Sequence, residues 1–316
     1  MTIRRLILRR LRVGLALLLV VSALTFVLVA LIPGDPAHSI LGNTATEAQY
    51  AALREQLGLD RPLWAQYGSW LWDALRGNLG ESLIAPQPVA SVLNADLSVT
   101  LPLAIGAVLV SVIVGVAGGT LAALRGGVVA RLIDLAAMIG LALPSFWGAL
   151  MLGQYFGVQL HWLPATGFTA LSTSPVGWLR SLVLPVIAVG IGGVATVAKQ
   201  TRDSVDDVLR QQYVQALRVE GIPLRRVLLR HVLRNAAVPV LATGGTQFVA
   251  ALGGTVIVEN VFALPGLGST VVQAATEHNL PIIVGAAVYF CVLVVLANLL
   301  VDVLFALVNP KVRIGS

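Results

Sequence analysis

Lysine is almost missing from this 316-residue chain: only Lys199 and Lys311 occur, and neither follows a glycine. A phosphate-cradling nucleotide loop ends in Gly-Lys-Ser/Thr. No such loop is present, so any ATP that serves this chain binds to another polypeptide. The single cysteine, Cys291, rules out an internal disulfide and lies in an apolar run. The histidines His38, His161, His231 and His278 are scattered without ligand-pair spacing, and no metal site is expected. No Ser/His/Asp or Cys/His set is recognisable, which leaves hydrolysis without its residues. Charge is scarce as well: 11% of residues are Asp, Glu, Lys or Arg, against about 25% in a soluble domain.

What is abundant is hydrocarbon. The chain is 57% hydrophobic with mean hydropathy +0.87, more apolar surface than one core can hide. A bilayer is its expected solvent. Residues 1–32 hold an arginine-rich segment (Arg4, Arg5, Arg9, Arg10, Arg12) and a first span, Val13 to Ile32. That run has the length that crosses hydrocarbon, about 20 residues. A cleaved signal has a shorter apolar region and a small-x-small site, so the span is read as retained. Five more spans are expected at about 97–124, 132–156, 181–199, 236–258 and 281–308. The fold class is therefore an all-α polytopic membrane protein with six transmembrane helices and both termini on one side. Gly115 and Gly119 form a small-xxx-small pair, read as close helix packing.

Between the first and second spans, residues 33–96 form a more polar external region. Pro33-Gly34-Asp35-Pro36 breaks the first helix. Thr46 and Gln49 make a capping box for a helix running to Leu57, ahead of Gly58. Pro62 starts another, with Trp64, Tyr67, Trp70 and Leu71 on one face. Aromatics favour the membrane–water interface, which reads as a lid lying on the outer leaflet; an aromatic substrate box is the alternative.

Charge placement gives the orientation. The N-terminus, the 125–131 turn, the 199–236 loop and the 309–316 tail hold 17 of the 21 Lys and Arg residues. The opposite side holds Arg54, Arg61, Arg76 and Arg180 together with nine of the fifteen acidic residues. Basic loops stay in the cytoplasm, so the 200–235 loop is expected there. The net +6 is thus topology and not nucleic-acid binding, and inner-face arginines commonly meet lipid phosphates. Asp134 and Asp302 fall near the cytoplasmic ends of spans three and six, where an interfacial or ion-paired role suffices. Mid-span carboxylates, which a proton relay would need, are missing.

The longest basic interruption runs from Tyr213 to Pro239, YVQALRVEGIPLRRVLLRHVLRNAAVP. Tyr213 to Glu220 suits a short helix, and Gly221 can end it in the left-handed conformation. Pro223 suits the first turn of a second helix. There Leu224, Val227, Leu228, His231, Val232 and Asn235 share one face, and Arg226, Arg230 and Arg234 the other. A second non-helical stretch, Glu259 to Gly268, contains Phe262, Pro265 and Gly266 and is expected as a re-entrant turn at a pathway mouth.

Gln215-Ala216-Leu217, three residues and Gly221 resemble the E-A-A-x-x-x-G loop of ABC-transporter permease subunits. RHVLRNAAVP is similar to the form in the peptide/nickel branch of that family. Gln215 and Leu217 stand where the consensus has Glu and Ala, and Arg234 where it often has Pro; the glycine is kept. The segments PGDP, LREQLGLDRPL and LRGNLGESL, the His161-Trp162-Leu163-Pro164 and Pro144-Ser145-Phe146-Trp147 motifs and the 259–268 loop also resemble peptide permeases, so the likeness covers nearly the whole chain.

The resemblance implies a type I importer permease in a bacterial or archaeal inner membrane, taking up dipeptides or oligopeptides by alternating access. It implies a second, non-identical permease subunit, two ATPase subunits or domains and an external substrate-binding protein. No cofactor is bound by this chain; ATP and Mg²⁺ belong to the ATPases. It also implies an ATPase-coupling role for Tyr213, Gln215, Ala216, Leu217, Glu220, Gly221, Ile222, Arg225, Arg226 and Arg230. A lone secondary transporter or channel, or a scaffold without a transport path, are the other classes; the first needs an ion-coupling site or charged filter that the residues do not supply.

Overall fold

A computed structural model describes residues 3–32, 34–42 and 45–308. Pro33 of the first break and the expected 309–316 tail lie outside the described residues. Among those residues every regular element is a helix, apart from one isolated bridge between Glu81 and Pro88. In order they are α1 (Ile3–Ala30), α2 (Pro36–Leu41), α3 (Glu47–Gln56), α4 (Leu63–Ala74), α5 (Val89–Arg125), α6 (Gly127–Ala142) and α7 (Ser145–Leu152, widening into a π turn over Gly153–Gln159). After them come α8 (Pro175–Leu209), α9 (Gln212–Val219), α10 (Leu224–Val227, followed by a π turn over Leu228–Val232), α11 (Leu233–Phe262), α12 (Leu267–Thr276) and α13 (Leu280–Val308).

Among the described residues, five stretches are long and apolar enough to cross a membrane: Leu8–Ala30, Val89–Arg125, Pro175–Leu209, Leu224–Phe262 and Leu280–Phe305. The sixth candidate is broken. Instead of one span over 132–156, α6 and α7 meet at a 100° bend. Proline restricts the residue before it and cannot donate to the preceding turn. Leu143 is accordingly extended (φ −76°, ψ 118°), and Pro144 caps the start of α7. The span expected at 181–199 is likewise part of a longer helix. Ser174 caps α8 with its hydroxyl accepting from the Gly177 N–H at 3.1 Å, Pro175 opens it, and the charges beyond Lys199 pair at four-residue spacing, as in Lys199–Asp203 at 3.3 Å.

Close contacts divide the chain into two compact units. One comprises Leu101–Leu264 with the two chain ends. Here α8 is the central element, packed by α11, α6 and α7. A methyl group on Gly119 would strike the Ala198 carbonyl and Thr201 of α8, so this glycine sets how closely α5 and α8 approach. Arg202 of α8 pairs with Asp134 of α6, and Arg10 forks onto Asp302, with its Nη2 2.9 Å from the carboxylate. Both carboxylates near the ends of spans are therefore ion-paired.

The other unit comprises Leu11–Thr100 and Pro265–Val295. Asp35 caps α2, its carboxylate accepting from the Ala37 N–H at 2.9 Å and pairing with Arg54 at 3.2 Å. The capping box opens α3, with Gln49 accepting from the Thr46 N–H at 2.8 Å. In α4, Tyr67 packs edge-on against Phe26 of α1 and its hydroxyl lies 3.0 Å from that of Ser22. Ser22 sits eight residues before the end of α1, about 12 Å at 1.5 Å per residue. The expected surface lid therefore packs along the side of a span. Trp64, expected on the same face as Tyr67, is instead 78% exposed.

Candidate functional site: the elbow between α8 and α11

Two short helices turn the chain from α8 into α11. Helix α9 ends at Val219 with Glu220 as its cap, and Gly221 follows at φ +80°. The Gly221 N–H donates to the Arg218 carbonyl at 3.1 Å, and the Ile222 N–H reaches back to Leu217 at 3.2 Å. This pair is the Schellman closure, in which a left-handed residue satisfies the last helical carbonyls. A Cβ on Gly221 would meet nothing within 4 Å. Its backbone angle, and not crowding inside the chain, is what requires glycine there.

The elbow stands on a buried keel. Val205 and Val208 of α8, Val214 of α9, Val227 of α10, Val232 and Ala236 form one apolar cluster, with Leu217, Ile222, Leu228 and Leu233 packed against it. The face read from the sequence is altered here. The π turn over Leu228–Val232 sets the fully buried Val227 and Val232 five positions apart, so beyond it Asn235 turns outward and Leu233 turns in; Leu224, ahead of it, is exposed at the start of α10. A π turn adds one residue to a helical turn, which shifts every later position round the axis.

Two polar links tie the elbow down. The Asn235 amide donates to the Tyr213 hydroxyl at 2.8 Å, joining α11 to α9. The Gln215 amide donates to the Arg210 carbonyl at 3.3 Å, joining α9 to the end of α8. Only a side chain with an N–H can make the second bond; a glutamate at this position would be an acceptor alone.

Of the residues expected to couple to a partner, Tyr213, Gln215, Ala216, Glu220, Gly221, Arg225, Arg226 and Arg230 are exposed. Leu217 and Ile222 are placed differently: both lie half-buried against the keel and brace the turn from inside. Val219, which the sequence reading passed over, is 88% exposed on the outer face of α9. Arg225, Arg226 and Arg230 form no ion pair among the described residues, so the outer surface carries uncommitted positive charge beside an apolar side chain. The Tyr213–Asn235 link and the π turn were also missed, because neither leaves a local pattern in the sequence.

The expected mouth loop is more helical than its Pro-Gly and Gly-Ser steps suggested. Helix α11 continues through Glu259 to Phe262, both fully buried, and only Ala263, Leu264, Pro265 and Gly266 are non-helical before α12. Ala263 takes the left-handed position (φ 51°), and the Leu264 N–H closes onto the Glu259 carbonyl at 2.9 Å. The Phe262 carbonyl accepts from the Gly167 N–H at 2.8 Å, which anchors the chain between α7 and α8. Pro265 is exposed and Gly266 buried, where it precedes α12. Among the described residues, no group of three His, Cys, Asp or Glu could hold a metal ion.

Residues 115–314 match the family described as "Binding-protein-dependent transport system inner membrane component", and residues 3–104 match its N-terminal companion. A putative peptide transport system permease protein of Brucella abortus (strain 2308) is 38% identical over 309 residues, covering 98% of each chain. A probable peptide ABC transporter permease protein of Sinorhizobium fredii is 39% identical over 308 residues, 97% of this chain and 98% of its own. The glutathione transport system permease protein of Escherichia coli is 37% identical over 297 residues, 94% of each. With apolar helices for several crossings and a helical elbow at their end, the chain belongs to the binding-protein-dependent transport system inner membrane components: it is a multi-pass bacterial inner-membrane permease subunit of an ABC importer.

Proposed function

We propose that this chain forms half of the translocation pathway of a short-peptide importer and is driven through α9 by separate ATPase subunits. The observation that carries this reading is the two-sided build of the elbow. Its inner face is locked by the valine keel and the Schellman closure, and its outer face presents Tyr213, Ala216, Val219 and Glu220 to a partner. A rigid, half-exposed helix joined to the ends of two long spans transmits a push to both. The peptide class follows the Brucella and Sinorhizobium relatives, named as peptide permeases, and the tripeptide glutathione of the Escherichia coli one falls within it.

In this reading a second, homologous permease subunit completes the pathway and an external binding protein delivers the solute. Two ATPase subunits, carrying the ATP and Mg²⁺, receive α9 in a cleft on the cytoplasmic side. The 17 basic residues expected on that side support the orientation. ATP-driven closure of the ATPases moves α9, and with it α8 and α11, so that the bundle changes the side to which it opens. Arg225, Arg226 and Arg230 meet acidic groups of the ATPases or lipid phosphates.

The test is purification of the tagged chain from its native membrane, followed by reconstitution. Co-purifying ATPase chains and peptide uptake that needs ATP and the binding protein are the expected result. Full-rate uptake with no ATPase present would overturn the reading.

A further inference from the structure

Gln247 is the fifteenth residue of the 30-residue helix α11, at mid-span. It lines a cavity of about 250 Å³ formed by residues of α5, α6, α7, α8 and α11. Its carboxamide has no hydrogen-bond partner among the described residues. An unpaired amide is costly in hydrocarbon; here it faces the cavity, where water or a solute can bond to it. Glycine lets α8 come close to both polar groups: a Cβ on Gly193 would overlap the Ser111 hydroxyl and stand 3.3 Å from the Gln247 Oε1.

A second observation points the same way. The wall includes Ser145, next to the 100° break between α6 and α7. Non-helical backbone at membrane depth is tolerated where it is buried in protein or lines a water-filled cavity, and broken helices mark binding sites in other transport folds. The Ser145 hydroxyl, like the Gln247 amide, has no partner among the described residues. The remaining polar groups are committed. Ser111 bonds to the Ala107 and Gly190 carbonyls at 2.7 and 3.0 Å, and Thr196 bonds to the Gly192 carbonyl at 3.0 Å.

Among the described residues, no Asp, Glu, Lys, Arg or His lines the cavity. A bare ion or a phosphate has no counter-charge there. A carboxamide offers both a donor and an acceptor, the complement of one peptide group's C=O and N–H. We infer that this mid-span cavity is a solute-contact chamber in which Gln247, assisted by Ser145, hydrogen-bonds the backbone amide of a passing peptide. The inference rests on the peptide-importer reading above and names the contact through which that solute is held.

The test uses the whole transporter, with its binding protein, in vesicles, and tri-alanine as the probe. Gln247→Leu should lower uptake efficiency about tenfold, the equivalent of one lost amide hydrogen bond, while Gln247→Asn keeps most of it. Melting temperature should not change in either variant. In a Cys291→Ala background, the thiol of Gln247→Cys should react with a charged methanethiosulfonate reagent, and more slowly when tri-alanine is being transported. Uptake indifferent to Gln247→Leu, or a Gln247→Cys thiol that is shielded and crosslinks to the second permease subunit, would overturn the chamber alone. Failure of the unaltered transporter to take up any peptide would overturn the peptide reading and the inference together.

Discussion

The Asn235 side-chain amide donates to the Tyr213 hydroxyl across 2.8 Å, joining the first residues of α9 to the first turn of α11. Both side chains are exposed, so the bond competes with water and contributes about 0.5–1.5 kcal/mol at most. Its value lies in fixing an angle. Tyr213→Phe and Asn235→Ala should each leave the melting temperature of the complex nearly unchanged while raising the ATP hydrolysed per peptide imported. The double variant should be no worse than either single one. Additive losses in that cycle would mean that the two residues act separately.

Gly221 and Ala263 occupy the same left-handed position at the ends of α9 and α11, at φ +80° and +51°. A side chain there costs about 1 kcal/mol. Gly221→Ala should therefore lower the melting temperature and Ala263→Gly should raise or hold it. Thermal unfolding of the purified complex reads both.

A stronger change at the same hinge separates shape from function. Gly221→Val should insert and assemble, because nothing crowds a Cβ there, yet transport less peptide per ATP. Gly221→Asn should retain coupling, since asparagine tolerates the left-handed region. Equal transport by all three proteins would remove the elbow from the mechanism.

The Arg202–Asp134 pair links α8 to α6 with side chains 28% and 46% exposed. Solvent screening limits such a pair to about 1 kcal/mol. Asp134→Asn should lower the midpoint of thermal unfolding slightly, more at low salt than at high salt. The exchange Asp134→Arg with Arg202→Asp should recover part of the loss. A midpoint independent of salt would show that the pair does not stabilise the fold.

The valine keel should respond more sharply. Val214 is fully buried, and Val214→Ala removes two methyl groups at about 0.8 kcal/mol each, plus a cavity term. The expected outcome is a loss of about 2 kcal/mol in the stability of the elbow, read as faster proteolysis of the 200–235 segment in otherwise intact complex.

Hydropathy and glycine spacing made much of this legible. The apolar runs marked the spans, and Gly221, four residues after Leu217, marked the end of α9. The broken third span was not legible, because proline alone is ambiguous. Pro102, Pro185 and Pro239 lie inside continuous helices, whereas Pro144 ends one. What differs is whether neighbouring helices let the preceding residue stay helical, a tertiary property. The π turn after Val227 is hidden for a similar reason: its extra residue is chosen by packing on the keel, and an α-helical wheel assigns Asn235 to the wrong side. Within the candidate site, side-chain identity gave the exposed arginines, but which apolar residues brace and which face outward depended on that extra residue.

The bend at Pro144 also bears on how the protein enters the bilayer. Helix α6 has 16 residues and the helical stretch after the bend has 15, roughly 24 and 22 Å of rise against a hydrocarbon thickness of about 30 Å. Neither piece is long enough to be threaded and released into lipid by itself. The two pieces complete a crossing only together, so their insertion is collective.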